Sequence, residues 1–375
     1  MVRPASIFGL MLAAILTAGC ATAAEPEPAP VEPAASQSLK RQLDAQAPEW
    51  LRRHDVPSVA VAYIVDGQLA WTAVYGDRAP GQPAAPDTLY NIASMTKPIV
   101  AETVLRLAAT GRLSLDEPMA PYWTDPDIAD DPRRLSLTAA MALRHQSGFP
   151  NWRYQTEDRL VFQADPGTRT SYSGEGYDYV ARFAERRTGQ EWESLANEMV
   201  FGPAGMVDTR FTGGGALTDR AASARGPDGS WRSPEDDSVW SAADNVRTTA
   251  ADYARFLISA MDRQGLTPEL AVRRGTVVDD QTGQACGPER LGPDVCPDGL
   301  GFGLGWVVSR YPDETIVQHG GADWGERTLG FYVPATRTGI VVFTNGANGM
   351  KVIRDVVALL HPNGKFVAFL DMQAR

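Results

Sequence analysis

Ser94-Met95-Thr96-Lys97-Pro98 decides how this chain reads. Of its 35 basic side chains only four are lysines, at positions 40, 97, 351 and 365, and Lys97 alone has a serine three residues before it. An arginine keeps its proton at any pH a folded protein survives, whereas a buried lysine can release one. From Ser94 to Ala109 the apolar spacing is helical (Met95, Ile99, Val100, Val104, Leu107, Ala108), and Gly111 is a C-terminal stop. Pro98 must lie in the first turn, where its missing N–H costs nothing. Ser94 is therefore expected at the helix N-terminus, on one face with Lys97 and beside unpaired backbone N–H groups. A hydroxyl, a base within reach and donors for a developing oxyanion are the requirements of acyl transfer. The competing reading is a serine that only caps the helix, with Lys97 in solvent; the rest of the chain decides between them.

Two further stretches favour chemistry. In Pro166-Gly167-Thr168-Arg169-Thr170-Ser171-Tyr172-Ser173-Gly174-Glu175-Gly176-Tyr177, Tyr172 sits in a turn-rich loop ahead of a helix. A phenol beside cations can shuttle a proton. In Thr315-Ile316-Val317-Gln318-His319-Gly320-Gly321-Ala322, an apolar strand runs into glycines, where a substrate can reach the backbone. His319 ends that strand as a polar candidate.

The bulk of the chain sets limits. Its 375 residues suffice for a large core in one two-lobed domain or two domains. A net charge of −11 argues against nucleic acid as a partner. The four histidines, at 54, 145, 319 and 361, offer no zinc-ligand spacing, and no metal or cofactor is expected. Arg3, the apolar run 7–16 and the small residues after it read as an export signal rather than a membrane span. Two processing sites compete: Leu16-Thr17-Ala18-Gly19-Cys20 resembles a bacterial lipoprotein box that would lipidate Cys20, and Ala21-Thr22-Ala23 offers ordinary cleavage near 23. The expected division is a signal over 1–20, a disordered Pro/Ala/Glu tether over 21–37 and a single hydrolase domain over 38–375, placed in the bacterial periplasm and held to the membrane by lipid only. Cys286 and Cys296 lie close together in a Gly/Pro-rich stretch and are expected to form a disulfide.

Hairpin signals predict strands over 58–65 and 69–75, joined at Asp66-Gly67, and over 303–310, 328–333 and 339–345 near the other end. Helices are expected over 39–53, 178–188 and 249–261, with 355–360 in a terminal helix. The fold class is α+β: one antiparallel sheet flanked by helices and built from both chain ends, with a mostly helical lobe inserted over about 115–283. A cleft between lobe and sheet is the expected site.

The serine, tyrosine and His-Gly-Gly elements occur in that order, with Asn91-Ile92-Ala93 before the nucleophile. With them stand Arg144-His145-Gln146-Ser147-Gly148-Phe149-Pro150 and Phe302-Gly303-Leu304-Gly305-Trp306. Together they resemble the serine β-lactamase/penicillin-binding-protein superfamily, in its class C-type branch of family VIII esterases, D-aminopeptidases and DD-peptidases. The resemblance implies Ser94 as acylated nucleophile, Lys97 and Tyr172 as a coupled acid–base unit, and the N–H groups of Ser94 and Ala322 as oxyanion hole. It places His319 where the family's Lys-Thr-Gly has its lysine, and Gly174, Gly320, Gly321 and Trp324 at the substrate. Gly174 departs from Tyr-x-Asn and His319 from lysine, and both changes argue against efficient β-lactam hydrolysis. The resemblance implies a carboxylesterase first, then a D-amino-acid peptidase or DD-carboxypeptidase acting on cell-wall peptides, then a β-lactamase, and last a non-catalytic sensor or scaffold.

Overall fold

The computed structural model describes residues 34–211, 219–234, 239–286 and 295–374. The expected signal, Cys20 and the tether up to residue 33 lie outside them. The first strands are β1 (Ser58–Val65), β2 (Gln68–Ala79) and β3 (Gln82–Pro83). Two short ribbons follow: β4 (Tyr90–Asn91) pairs with β7 (Arg247–Thr248), and β5 (Ala224–Arg225) with β6 (Trp231–Arg232). The last strands are β8 (Gly299–Phe302), β9 (Val307–Arg310), β10 (Thr315–Ala322), β11 (Arg327–Val333) and β12 (Thr338–Thr344). They complete one antiparallel sheet of order β3-β2-β1-β12-β11-β10-β9-β8, in which Val59 faces Thr344 and Ile64 faces Gly339. The two chain ends thus meet at the β1–β12 pair.

β1 is apolar on both faces because it is covered on both. Val59 and Val61 pack with Leu43 and Trp50 of α1 (Ala34–His54) and with Val352, Ile353 and Val356 of the helix Gly349–Leu360. Ala60, Ala62 and Ile64 face the larger core, shared with α2 (Thr96–Ala109) and the helix Ala250–Met261. Alternation along the strand sends successive side chains to opposite cores. Each fully buried Val or Ile contributes about 1.5–3 kcal/mol. The inserted lobe also carries α3 (Ala139–Leu143) and α4 (Gly174–Thr188).

Several expectations need correction. Residues 34–37 are not tether but the first turn of α1, where buried Ser36 accepts the Trp71 indole N–H at 2.9 Å. The strand expected over 303–310 starts only at Val307, as β9, because the glycines ahead of it seat the chain against helices, and a separate strand, β8, precedes them. A Cβ on Gly305 would lie 2.1 Å from Ala101 Cβ, and one on Gly303 would lie 2.2 Å from the Arg274 carbonyl. The helix expected from 178 starts at Gly174, since Ser173 Oγ caps it by accepting the Gly176 N–H at 3.0 Å. A further terminal helix, Gly364–Gln373, follows the expected one. The Cys286–Cys296 disulfide is not formed: both are free thiols, and Cys296 Sγ is turned to the Cys286 carbonyl at 3.9 Å.

Candidate active site

The backbone around Ser94 is fixed from several sides. β4 pairs with β7, and the next residue, Ile92, donates its N–H to the Val246 carbonyl at 3.1 Å. Ala93 then takes φ +47°, a left-handed conformation that a non-glycine residue adopts at a cost of about 1–3 kcal/mol. The Asn91 side chain supports it by accepting the Ala93 N–H at 2.9 Å. Ala93–Met95 form a 3-10 turn that leads into α2, with Pro98 in the first turn of that helix. Ser94 thus sits on a sharp turn ahead of a helix N-terminus, half-buried, with Lys97 one turn inside.

Lys97 is completely buried. Its Nζ donates to Ser94 Oγ at 3.0 Å and to the Ala243 carbonyl at 2.8 Å. Three aromatic rings surround the amine, with centroids 4.9 Å (Tyr172), 5.7 Å (Tyr177) and 6.0 Å (Trp152) away. Burial lowers the Lys97 pKa to about 8, against the opposing pull of Asp244 and Asp178. A useful fraction of neutral amine is therefore present at mildly alkaline pH.

Tyr172 stands beside the pair. Burial raises its phenol pKa well above the ordinary 10, and a hydrogen bond with Ser94 partly offsets that. The phenol is therefore a proton donor at neutral pH, not a standing phenolate. His145 holds the loop on either side of Tyr172: its carbonyl accepts the Ser171 N–H at 2.7 Å and its Nδ1 accepts the Ser173 N–H at 3.1 Å. Its ring stacks on Tyr172 at 4.3 Å and meets Phe302 edge-on at 4.5 Å.

His319 is buried, with its ring 6.3 Å from that of Tyr172. Its Nδ1 lies 2.7 Å from the Gly320 carbonyl, which only accepts, so Nδ1 carries the proton. Burial and the nearby Lys97 lower its pKa to about 3, so the ring is neutral. It supplies no fixed positive charge for a substrate carboxylate.

β10 runs past the turn that carries Ser94. A Cβ on Gly321 would lie 2.2 Å from the Ile92 carbonyl oxygen and 2.3 Å from Thr328 Oγ1, while one on Gly320 would meet nothing closer than 3.6 Å. Gly321 is therefore needed for close packing of backbone on backbone. That packing sets Ala322, at the exposed end of β10, next to the segment that carries Ser94. Trp324 lies just beyond, packed on Gly226 and with the Arg232 guanidinium 3.9 Å from its ring centre. Together with Asn91, Asp244, Arg247, Asp323 and Glu326 it lines a cavity of about 340 Å³.

Gly174 is explained by Trp152. A Cβ at 174 would lie 2.8 Å from two indole carbons of Trp152. The indole, half-buried, fills the space that a side chain at 174 would occupy. The Asn151 side chain holds the two segments together by accepting the Gly174 N–H at 2.9 Å.

The structure thus brings Ser94, Lys97, Tyr172 and His319 together, with Ala322 and Trp324 at the rim. Sequence reasoning missed the clamp formed by His145, although His145 lay within a quoted stretch. It also missed Ala243, which acts through its carbonyl and leaves no signal in its side chain, and the pairing of Trp152 with Gly174.

Comparisons with known proteins agree with this geometry. Residues 36–361 match the beta-lactamase family, and the chain belongs to that family. It is 32% identical to esterase EstB of Burkholderia gladioli over 204 residues, which span 46% of this chain and 52% of that protein. It is 25% identical to the D-alanyl-D-alanine-carboxypeptidase/endopeptidase AmpH of Escherichia coli K12, over 81% of this chain and 85% of that one. Among solved structures, the D-alanine carboxypeptidase AmpC of Burkholderia cenocepacia superposes with a TM-score of 0.71 at 21% identity, covering 87% of this chain and 99% of that chain. The chain is a serine hydrolase of the beta-lactamase family.

Proposed function

We propose that this chain is a carboxylesterase that works through an acyl-enzyme on Ser94. The observation that carries this reading is the buried Lys97 amine, 3.0 Å from Ser94 Oγ and with its pKa lowered to about 8. Lys97 takes the hydroxyl proton as Oγ attacks the ester carbonyl carbon. The oxyanion of the tetrahedral intermediate is held by the N–H groups of Ser94 and Ala322. Collapse breaks the bond to the alcohol oxygen, and Tyr172 protonates the departing alkoxide and is itself reprotonated from the Lys97 ammonium. Water then attacks the acyl carbonyl and gives its proton back through the same pair, which releases the carboxylic acid and restores Ser94.

Two features favour esters over β-lactams. Trp152 fills the space beside Gly174 and presents an aromatic wall instead of an amide. His319 is neutral and offers a substrate carboxylate no charge. A D-amino-acid peptidase is the second reading, because the AmpH relative aligns over much more of this chain than the esterase does. Purified protein assayed with p-nitrophenyl acyl esters, D-alanyl-D-alanine peptides and nitrocefin separates the three; the esterase reading requires the esters to be turned over fastest. We also propose export, with Cys20 as lipid attachment site. Mass spectrometry of the mature N-terminus tests this: a diacylglyceryl cysteine is expected, and an unmodified chain beginning near residue 24 contradicts lipidation.

A further inference from the structure

Asp178 lies in the second turn of α4, six residues after Tyr172, and the mechanism above does not use it. Its Oδ1 accepts the Ala242 N–H at 2.7 Å and the Ser241 hydroxyl at 3.3 Å. The very next residue, Ala243, gives its carbonyl to Lys97 Nζ at 2.8 Å. The turn between is held by short-range bonds: the Ser241 N–H goes to Asn245 Oδ1 at 2.9 Å and the Ala243 N–H to Ser241 Oγ at 3.2 Å. One carboxylate thus grips the donor side of a turn whose acceptor side grips the amine.

We propose that Asp178 is a positioning residue for Lys97, acting through the 241–244 turn and through its own negative charge. The proposal rests on Ser94 as nucleophile and Lys97 as its proton acceptor. The charges around the pair are few. Lys97 is faced by Asp178 from α4, by Asp244 from the turn, by the phenols of Tyr172 and Tyr177, and by the neutral rings of His145 and His319. Asp178 is faced by Asp244 and Glu175 as well as Lys97. The nearby arginines are matched elsewhere: Arg153 with Glu175 at 2.7 Å and Asp125 at 3.2 Å, and Arg182 with Glu185 at 3.1 Å. Burial pushes the Asp178 pKa up to about 7, a little below the about 8 of Lys97. The carboxylate is therefore charged where Lys97 titrates and favours the ammonium there.

The test compares wild type, Asp178→Asn and Asp178→Ala. The readouts are the pH dependence of Ser94 labelling by a fluorophosphonate and of ester kcat/KM, with kcat and KM resolved at the plateau. Asparagine keeps an oxygen for the Ala242 N–H, so its plateau should stay within a few-fold of wild type. Its acid limb should move to lower pH by roughly 0.5–1 unit, because an anion that favours the ammonium is gone. Alanine loses the grip as well, and its plateau kcat should fall about tenfold or more with KM little changed. An acid limb in Asp178→Asn that stays put or moves up overturns the proposal, as does a wild-type plateau in Asp178→Ala. Should Asp178→Ala fail to fold, the limb of Asp178→Asn decides alone. A wild type that is not labelled on Ser94 overturns the nucleophile reading and this one with it, whereas labelling that Asp178→Asn leaves unaltered overturns this one alone.

Discussion

The ring of His145 stacks on the ring of Tyr172 at 4.3 Å, tilted by only 28°, while its backbone and Nδ1 hold the amides on either side of that tyrosine. His145 takes φ +59° to do this, so the clamp is built into a sparsely populated backbone conformation. Burial and the nearby Lys97 drive its pKa well below 6.5, which keeps Nδ1 an acceptor at neutral pH. Removing the ring frees Tyr172 to drift, and a misplacement near 1 Å costs on the order of 100-fold in rate. His145→Ala is expected to lose about 10–100-fold in kcat with a modest change in KM. His145→Phe, which keeps the stack and loses the acceptor, should fall between it and wild type. Steady-state kinetics on one ester checks this, and a wild-type kcat in His145→Ala rules the clamp out.

Lys97 ties activity and stability to one titration. Its folded pKa, about 8, lies below the 10.5 of an unperturbed lysine, so between those values the unfolded chain binds more protons. Stability from this group is complete above about 10.5 and is lost as pH falls through 8, by about 3 kcal/mol. On the proposed mechanism activity should also rise through pH 8, since there the neutral amine takes the Ser94 proton. Lys97→Met should be inactive yet melt higher than wild type at pH 7, because a buried ammonium is gone. Lys97→Arg should lose several orders of magnitude in acylation, since a guanidinium cannot take the proton. Thermal melts and pH–rate profiles read both effects.

Gly174 and Trp152 should behave as a pair. Gly174→Ala places a Cβ where the indole stands, 2.8 Å from two of its carbons, and is expected to lower stability by about 1–3 kcal/mol. Gly174→Asn should cost more. In a Trp152→Ala background both penalties should shrink, a coupling that a double-mutant cycle measures. Equal penalties in the two backgrounds would mean that the indole does not occupy that space.

The two glycines of β10 should differ sharply. Gly321→Ala drives a methyl into the Ile92 carbonyl and Thr328 Oγ1, whereas Gly320→Ala meets nothing within 3.5 Å. The first is expected to cost about 3 kcal/mol or more, together with most of the activity, since it pushes β10 off the nucleophile turn. The second should fold close to wild type. Urea unfolding of the two variants tests the contrast.

Much of this arrangement was legible because it rests on local rules. Pro98 marked the start of α2, Asp66-Gly67 the first hairpin, and the apolar runs at both ends the halves of one sheet. Ser94, Lys97, Tyr172 and His319 stood out because their types were rare or their neighbours distinctive. What was hidden depends on contacts between distant segments. Nothing in the sequence tells that the indole of Trp152 fills the space above Gly174, that Gly321 is pressed against the Ile92 carbonyl, or that Ala243 offers its carbonyl to Lys97. The late start of the strand expected over 303–310 has the same origin, since the approach of Gly305 to Ala101 is set by how α2 packs and not by strand propensity.

The most direct measurement is mass spectrometry of the protein quenched during turnover of a slow ester. The mechanism predicts a mass increase equal to the acyl group, carried by the peptide that contains Ser94, absent from Ser94→Ala, and accompanied by loss of ester turnover in that variant. Ester turnover by Ser94→Ala at the wild-type rate, or the acyl group on another residue, contradicts it.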